Sequence, residues 1–270
     1  MTPQALLSPL LAIAEEAGRH IAAIYQQGNI NPQLKADHTP VTNADLAAHR
    51  LLCERLQALT PEIPVLSEED CQIALAERAA WPRYWLIDPL DGTQEFIYGS
   101  GEFSTMIALM DNHQPVMGVI YVPMTQMWYY AVQGQGAYKR DQHGQETRLQ
   151  IRATAPDSHS LRVAVSRRQS LPRLQQQLNP QWNYQFVPYG SSSLKSCMVA
   201  EGLVDCYLRL GPTGEWDTAA AQCILHEAGG DLRDLHLEAL TYNRRDTLEN
   251  PDFISFGNPA LPWKTILTNC

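Results

Sequence analysis

Positive charge is scarce in this chain. Lys and Arg number 20 against 29 Asp and Glu in 270 residues, a net charge of −9. That excludes a general nucleic-acid surface, because duplex binding rests on Lys and Arg neutralising phosphates. Paired cysteines are missing too. The six cysteines (Cys53, Cys71, Cys197, Cys206, Cys223 and Cys270) include no CxxC spacing, and most sit among apolar neighbours. They read as reduced thiols of a cytosolic protein, not as a disulfide frame or a zinc site. The eight histidines form no metal-type spacing. No apolar run approaches the length of a bilayer span. The N-terminal stretch MTPQALLSPLLAIAEEAGRH has no basic n-region, and Glu15-Glu16 interrupt its apolar run, so it reads as an amphipathic helix rather than a signal peptide. Internal repeats and low-complexity tracts are also lacking.

What remains is an ordinary globular composition, 44% apolar and 18% charged, long enough for a sizeable core in one large or two smaller domains. Leu6, Leu10, Ile13, Ala14, Ala17, Ile21 and Ile24 repeat at helical spacing and predict a long first helix. Thr42 opens a second helix, with Leu46, Leu51, Cys53 and Leu56 as its expected inward face. Pro64-Val65-Leu66 predicts a short strand ending in Ser67-Glu68-Glu69-Asp70. Strands are expected over 105–110, 116–122, 127–132 and 136–140, with Gly134-Gln135-Gly136 as a turn. Polar residues 141–160 read as a joint between residues 1–150, an α+β half, and residues 151–270, an α/β half. In the second half, strands at 161–165 and 204–210 alternate with helices at 193–201 and 218–228.

The segment YWLIDPLDGTQEFI (84–97) is the most informative. A buried-strand run, Trp85-Leu86-Ile87, ends on Asp88; Pro89 stiffens the corner; Asp91 follows, and Gly92-Thr93 suits a helix start. Two carboxylates at a strand end can share divalent cations, and the N–H groups of Gly92 and Thr93 can hold a phosphate that those cations touch. The plainer alternative is a turn, with Asp91 making an Asx-turn. An acidic chain that binds an anionic substrate needs a source of positive charge, and bound metal supplies it.

Other acids extend the pattern, each with its own plain alternative. Glu68 follows a strand, in a run that also reads as a solvated loop; for Glu69 and Asp70 the solvated loop is the expectation. Asp217, in Trp216-Asp217-Thr218-Ala219-Ala220, would serve equally as the N-cap of the helix that follows. Asp45 forms a capping-box pattern with Thr42. Tyr189-Gly190-Ser191-Ser192-Ser193-Leu194-Lys195 is small and polar before a helix, either an anion cradle or a flexible capped loop. Arg209, beside Gly211-Pro212, is either solvated or a clamp on a second phosphate.

The D-P-L-D-G-T and W-D-x-A-A segments resemble the signatures of the inositol monophosphatase superfamily of magnesium-dependent, lithium-sensitive phosphatases. The likeness runs nearly end to end through T-P-V-T-x-A-D, P-V-L-S-E-E-D, G-E-F-S, S-S-L-K, V-A-E-G and G-P-T-x-x-W-D-T-A-A. It is similar above all to the 3′(2′),5′-bisphosphate nucleotidase branch. The resemblance implies a layered αβαβα sandwich of the inositol monophosphatase and fructose-1,6-bisphosphatase type, with the active site where the halves meet. It implies two or three Mg²⁺ ions on Glu68, Asp88, the Leu90 carbonyl, Asp91 and Asp217, an all-oxygen set. Asp45 would polarise Thr93, and Thr93 would hold the attacking water, with Glu68 sharing in catalysis.

Substrate contacts are implied at Glu68, Leu90, Asp91, Gly92, Thr93 and Asp217, and on the nucleotide side at Ser192, Lys195 and Arg209. The chain departs from the branch pattern at three places: Ser191 stands where glycine is usual, Arg168 and Gln169 follow Ser166-Arg167 where a His is common, and Gln94, expected to be exposed, replaces a Lys. The implied reaction removes the 3′-phosphate of adenosine 3′,5′-bisphosphate, giving AMP in the cytoplasm as part of sulfur assimilation. An inositol-1-phosphate or sugar-phosphate phosphatase is the alternative. Peripheral attachment to the inner membrane fits the branch, although no lipid-binding motif argues for it.

Overall fold

Helix α1 (Pro3–Gln27) begins where Thr2 Oγ1 accepts from Ala5 N at 3.4 Å and Pro3 takes the first position, where a missing N–H costs nothing. It ends on Gly28 at φ 68°. The computed structural model describes residues 1–28, 30–35, 39–155 and 158–268, so Cys270 lies outside the described residues. A short antiparallel pair, β1 (Gln33–Leu34) and β2 (Pro40–Val41), leads to α2 (Asn43–Leu59). The buried face of α2 is Ala44, Asp45, Ala48, Leu52 and Leu56. This corrects the expected face: Leu46 is exposed, and Leu51 and Cys53 are half-buried. The i, i+4 rhythm of small and large residues from Ala44 to Leu56 sets the contact stripe, and Leu46 falls off it despite its hydrophobicity.

The first sheet contains β3 (Val65–Ser67), β4 (Arg83–Asp91), β5 (Ser104–Asp111), β6 (Gln114–Val122), β7 (Met127–Val132), β8 (Ala137–Arg140) and β9 (Glu146–Arg148), paired in that order. Only β3 and β4 run parallel; the rest form an antiparallel meander. Short helices α3 (Leu75–Arg78) and α4 (Thr93–Tyr98) fill the connections. The expected joint at 141–160 thus contains a strand of this sheet.

The second sheet has the order β11-β10-β12-β14-β13. Its strands are β10 (Ser160–Ser166), β11 (Asn183–Tyr189), β12 (Cys206–Arg209), β13 (Asp231–Asp234) and β14 (Phe253–Phe256). Helices α5 (Leu171–Gln175), α6 (Ser192–Ala200), α7 (Ala219–Ala228) and α8 (Trp263–Ile266) accompany it, with a 3₁₀ turn at Glu215–Asp217 before α7.

Three apolar clusters set the layering. Trp85, Ile87, Ile107 and Leu109 pack on Leu6, Leu10 and Leu52 of α1 and α2. The alternate residues Tyr84, Leu86, Met106 and Ala108 face the other way, against Leu194 and Val199 of α6 and Ala220 and Ile224 of α7. Beyond the second sheet, Val163, Leu208 and Ile254 meet Leu174, Trp263 and Ile266 of α5 and α8. Strand alternation thus gives the first sheet two buried faces, and the result is the expected αβαβα sandwich. Gly118 brings α7 close: a Cβ there would lie 2.4 Å from the Ala220 carbonyl oxygen.

Candidate active site

Asp88 and Asp91 are separated by two residues on β4, a spacing that on a regular strand sends them to opposite faces. A bulge cancels this. Asp88 pairs with Met106 and Asp91 with Ser104, so β4 holds one residue more than β5 between those pairs. Pro89, with no N–H to give a ladder, sits in the bulge. Asp88 shares the parity of Leu86 and Tyr84, which face α6 and α7, and the bulge turns Asp91 towards it. Asp217 arrives from the 3₁₀ turn. One oxygen each from Asp88, Asp91 and Asp217 lies within 4.8 Å of the other two.

Each carboxylate is held by a different device. Asp88 Oδ1 accepts from Leu90 N at 3.0 Å, so the Asx-turn expected as the plain role of Asp91 belongs to Asp88. Asp91 Oδ2 accepts from Ser193 N at 2.8 Å, Ser193 Oγ at 2.5 Å and Ser191 Oγ. The start of α6 is therefore occupied by a carboxylate of the first half, which corrects its reading as a cradle for an external anion. Asp217 Oδ2 accepts from Gly214 N at 2.6 Å. It does not cap α7, because the intervening 3₁₀ turn leaves Thr218 at that position.

Glu68 stands outside the trio but on the same cavity wall. Its Oε1 accepts from Lys35 Nζ at 2.7 Å, and Lys35 also reaches Glu69 at 2.8 Å. Glu69 is thus not a solvated loop acid, its side chain being 4% exposed; Asp70 is exposed as expected. Burial opposes the charge on Lys35, but Glu68 and Glu69 outweigh it and raise its pKa. Burial pushes the Glu68 carboxyl up to about 7, with Lys35 opposing and Glu69 reinforcing. Asp88 lies well above the usual carboxylate range through burial and then the charges of Glu68, Asp91 and Asp217. Asp217 is raised likewise by burial, then by Asp91 and Glu68. Such a cluster is stable in its ionised form only with cationic charge among the oxygens. The donors are all hard oxygens, which suit Mg²⁺ and not a metal that prefers thiolate or imidazole.

Asp45 makes its capping box and also reaches the site. Its Oδ2 accepts from Thr42 N and Oγ1 at 2.7 and 2.6 Å, and its Oδ1 accepts from Thr93 Oγ1 at 3.0 Å. Burial raises its pKa, with Thr42 opposing. Thr93 Oγ1 also lies 3.3 Å from the Leu90 carbonyl. A hydroxyl has one proton, so the shorter contact to Asp45 takes it and leaves the lone pairs of Oγ1 for an incoming donor.

Glu68, Asp88, Asp91 and Asp217 line one cavity of about 670 Å³, with Leu90, Gly92, Thr93, Arg209 and Trp216 on its wall. Arg209 donates through Nη2 to the Pro212 carbonyl at 3.2 Å, while its buried Nε has no partner among the described residues. Ser192 and Lys195 are not among the lining residues. Ser192 Oγ lies 3.2 Å from Tyr207 Oη. Lys195 is 2% exposed and its Nζ donates to the carbonyls of Gly190, at 3.1 Å, and Ser191. Burial draws its ammonium down to about 7, with Asp91 opposing.

The two other departures from the branch pattern touch each other: Arg168 Nη1 donates to exposed Gln94 Oε1 at 3.0 Å and pairs with Glu95 at 3.1 Å. Sequence reasoning missed Lys35, Ser191 and Ser193 as partners of the acids. Lys35 lies far along the chain from Glu68, and the serines carry no signal of their own.

The family model described as inositol monophosphatase family matches residues 3–259. A protein of Aggregatibacter actinomycetemcomitans named 3′(2′),5′-bisphosphate nucleotidase CysQ is 48% identical over 261 residues, 97% of this chain and 96% of that protein. Its namesake in Haemophilus influenzae is 46% identical over the same shares. The crystal structure of CysQ from Bacteroides thetaiotaomicron, a bacterial member of the inositol monophosphatase family, superposes with a TM-score of 0.77 at 37% identity. It covers 93% of this chain and 97% of that one.

Proposed function

The chain belongs to the inositol monophosphatase family, and on that premise we propose that it is a magnesium-dependent 3′(2′),5′-bisphosphate nucleotidase. It removes the 3′-phosphate of adenosine 3′,5′-bisphosphate to give AMP and phosphate. The observation that carries this reading is the convergence of Asp88, Asp91 and Asp217 in one cavity with Arg209.

Glu68, Asp88, the Leu90 carbonyl, Asp91 and Asp217 would hold the cations. Mg²⁺ bound there supplies the Lewis acidity that activates water and neutralises charge on the leaving oxygen. Thr93, its proton committed to Asp45, presents a lone pair that orients the attacking water. Gly92 and Thr93, at the start of α4, line the cavity and would face the phosphate. Arg209 takes the second phosphate; its unpartnered Nε supports that role, since a buried guanidinium N–H without an acceptor is costly. Ser192 contributes at the nucleotide edge. Lys195 acts from behind, through the backbone of Gly190 and Ser191. We infer that the reaction takes place in the cytoplasm, where it would consume a by-product of sulfate assimilation. Among the described residues no helix is long and apolar enough to cross a membrane.

Phosphate release from adenosine 3′,5′-bisphosphate and from inositol 1-phosphate, each with Mg²⁺, tests the substrate. Preference for the nucleotide is expected; preference for inositol 1-phosphate would overturn the proposal.

A further inference from the structure

Ser191 has φ 47° and ψ 142°, a backbone conformation that a residue with a Cβ enters at a cost of about 1–3 kcal/mol. It stands where the branch pattern has glycine, the residue that adopts such a φ without penalty. Strain of this kind persists only where surrounding contacts over-determine it, and they are present. Lys195 Nζ donates to the carbonyls on both sides of the strained unit, at Gly190 and Ser191. Ser191 Oγ accepts from Leu194 N at 3.4 Å and donates to Asp91 Oδ2. Gly92, at φ 93°, brings the two segments together, since a Cβ there would lie 3.3 Å from Ser191 Cβ.

Ser191 and Ser193 each have one hydroxyl proton, and both point to Asp91 Oδ2, which also accepts Ser193 N at 2.8 Å. Ser104, 2.8 Å from Ser193 Oγ, then donates to it. Oδ2 is fully engaged by α6. Oδ1, which among the described residues accepts only Ser192 N at 3.4 Å, is the oxygen left free for a cation shared with Asp88 and Asp217. We propose that Ser191 is a positioning residue of the metal site: its strained backbone is retained because its hydroxyl fixes which Asp91 oxygen meets the cation. The helix of the second half thereby becomes part of a metal centre built mainly on the first.

The inference rests on the metal-site reading above. It is tested by calorimetric titration of Mg²⁺ into the full-length chain without nucleotide, together with melting in EDTA. Ser191→Gly relieves the strained φ and removes the hydroxyl. It should melt no lower than the parent yet bind Mg²⁺ about tenfold more weakly, the scale of losing an outer-shell partner. Ser191→Ala keeps the strain and should lose the same affinity. Ser196→Ala, on the same helix but bonded to Ser255 rather than Asp91, should bind Mg²⁺ like the parent. Parental Mg²⁺ affinity in Ser191→Gly, or an equal loss in Ser196→Ala, would overturn the inference while leaving the metal site standing. No saturable Mg²⁺ binding by the parent chain would overturn both.

Discussion

Asp45 spends one carboxylate oxygen on its own helix and the other on Thr93. Oδ2 closes the capping box with Thr42, and Oδ1 crosses to Thr93 Oγ1 at 3.0 Å. Helix α2 is thereby locked to the start of α4, and the direction of the Thr93 proton is set. Asp45→Asn can keep the cap through its amide oxygen, but it presents an N–H₂ to Thr93 and reverses that proton. We expect kcat to fall about 10²–10⁴-fold with KM little changed and melting lowered by only about 1 kcal/mol in equivalent stability. Steady-state kinetics with calorimetry checks this; a change in KM alone would contradict it.

The acidic cluster makes stability depend on pH in an unusual direction. Burial raises Glu68 to about 7, above an ordinary Glu near pH 4.3, and raises Asp88 and Asp217 the same way. Between the ordinary and raised values the folded chain binds more protons than the unfolded one. The stability from Glu68 is therefore full below about pH 4 and is lost as pH rises through about 7, and that from Asp88 and Asp217 is lost in the same direction. Mg²⁺ bound at the cluster would replace the lost protons. Stabilisation by Mg²⁺ over EDTA should be large near pH 8 and small near pH 5, as read by melting curves. Equal stabilisation at both pH values would count against the cluster as the cation site.

Arg209 should discriminate two phosphates from one. Arg209→Leu is expected to raise KM for adenosine 3′,5′-bisphosphate about 10- to 100-fold, the value of a hydrogen bond to a charged group. Turnover of adenosine 3′-monophosphate should be little affected. If both substrates lose equally, Arg209 does not bind the second phosphate.

The packing of α7 on the first sheet rests on Gly118. A Cβ would meet the Ala220 carbonyl at 2.4 Å, and backbone cannot swing aside as a side chain can. Gly118→Ala should cost about 1–3 kcal/mol, seen as a lower melting temperature. Because α7 follows Asp217 directly, weaker Mg²⁺ stabilisation should accompany it. An unchanged melting point would show that the sheet and helix yield more easily than this geometry implies.

Much of the site was legible because its residues come in short local patterns. The strand run before Asp88, the Pro89 corner and the Asp217 segment each carry their chemistry within a few residues. The layering was legible only through the family resemblance, while the apolar run Trp85-Leu86-Ile87 marked a buried strand. What was not legible depends on parity, distance or backbone angle. A strand pattern cannot show that the Asp88–Asp91 bulge turns both acids one way. Lys35 meets Glu68 across a chain separation that no local pattern spans. Strand β11 was missed because Asn183–Tyr189 has a weak burial pattern and a proline, features of an edge strand rather than a core one. The face of α2 is set by spacing rather than hydrophobic identity, so apolar Leu46 falls outside it.

The central claim is that Asp88, Asp91 and Asp217 form one Mg²⁺ site that hydrolyses a nucleotide bisphosphate. Its most direct test is phosphate release from adenosine 3′,5′-bisphosphate by the parent chain and Asp91→Asn, each with Mg²⁺ and with EDTA. The account predicts turnover only for the parent with Mg²⁺, and a loss of about a thousandfold or more in Asp91→Asn, several kcal/mol of transition-state stabilisation. Full turnover by Asp91→Asn with Mg²⁺, or by the parent chain in EDTA, would contradict it.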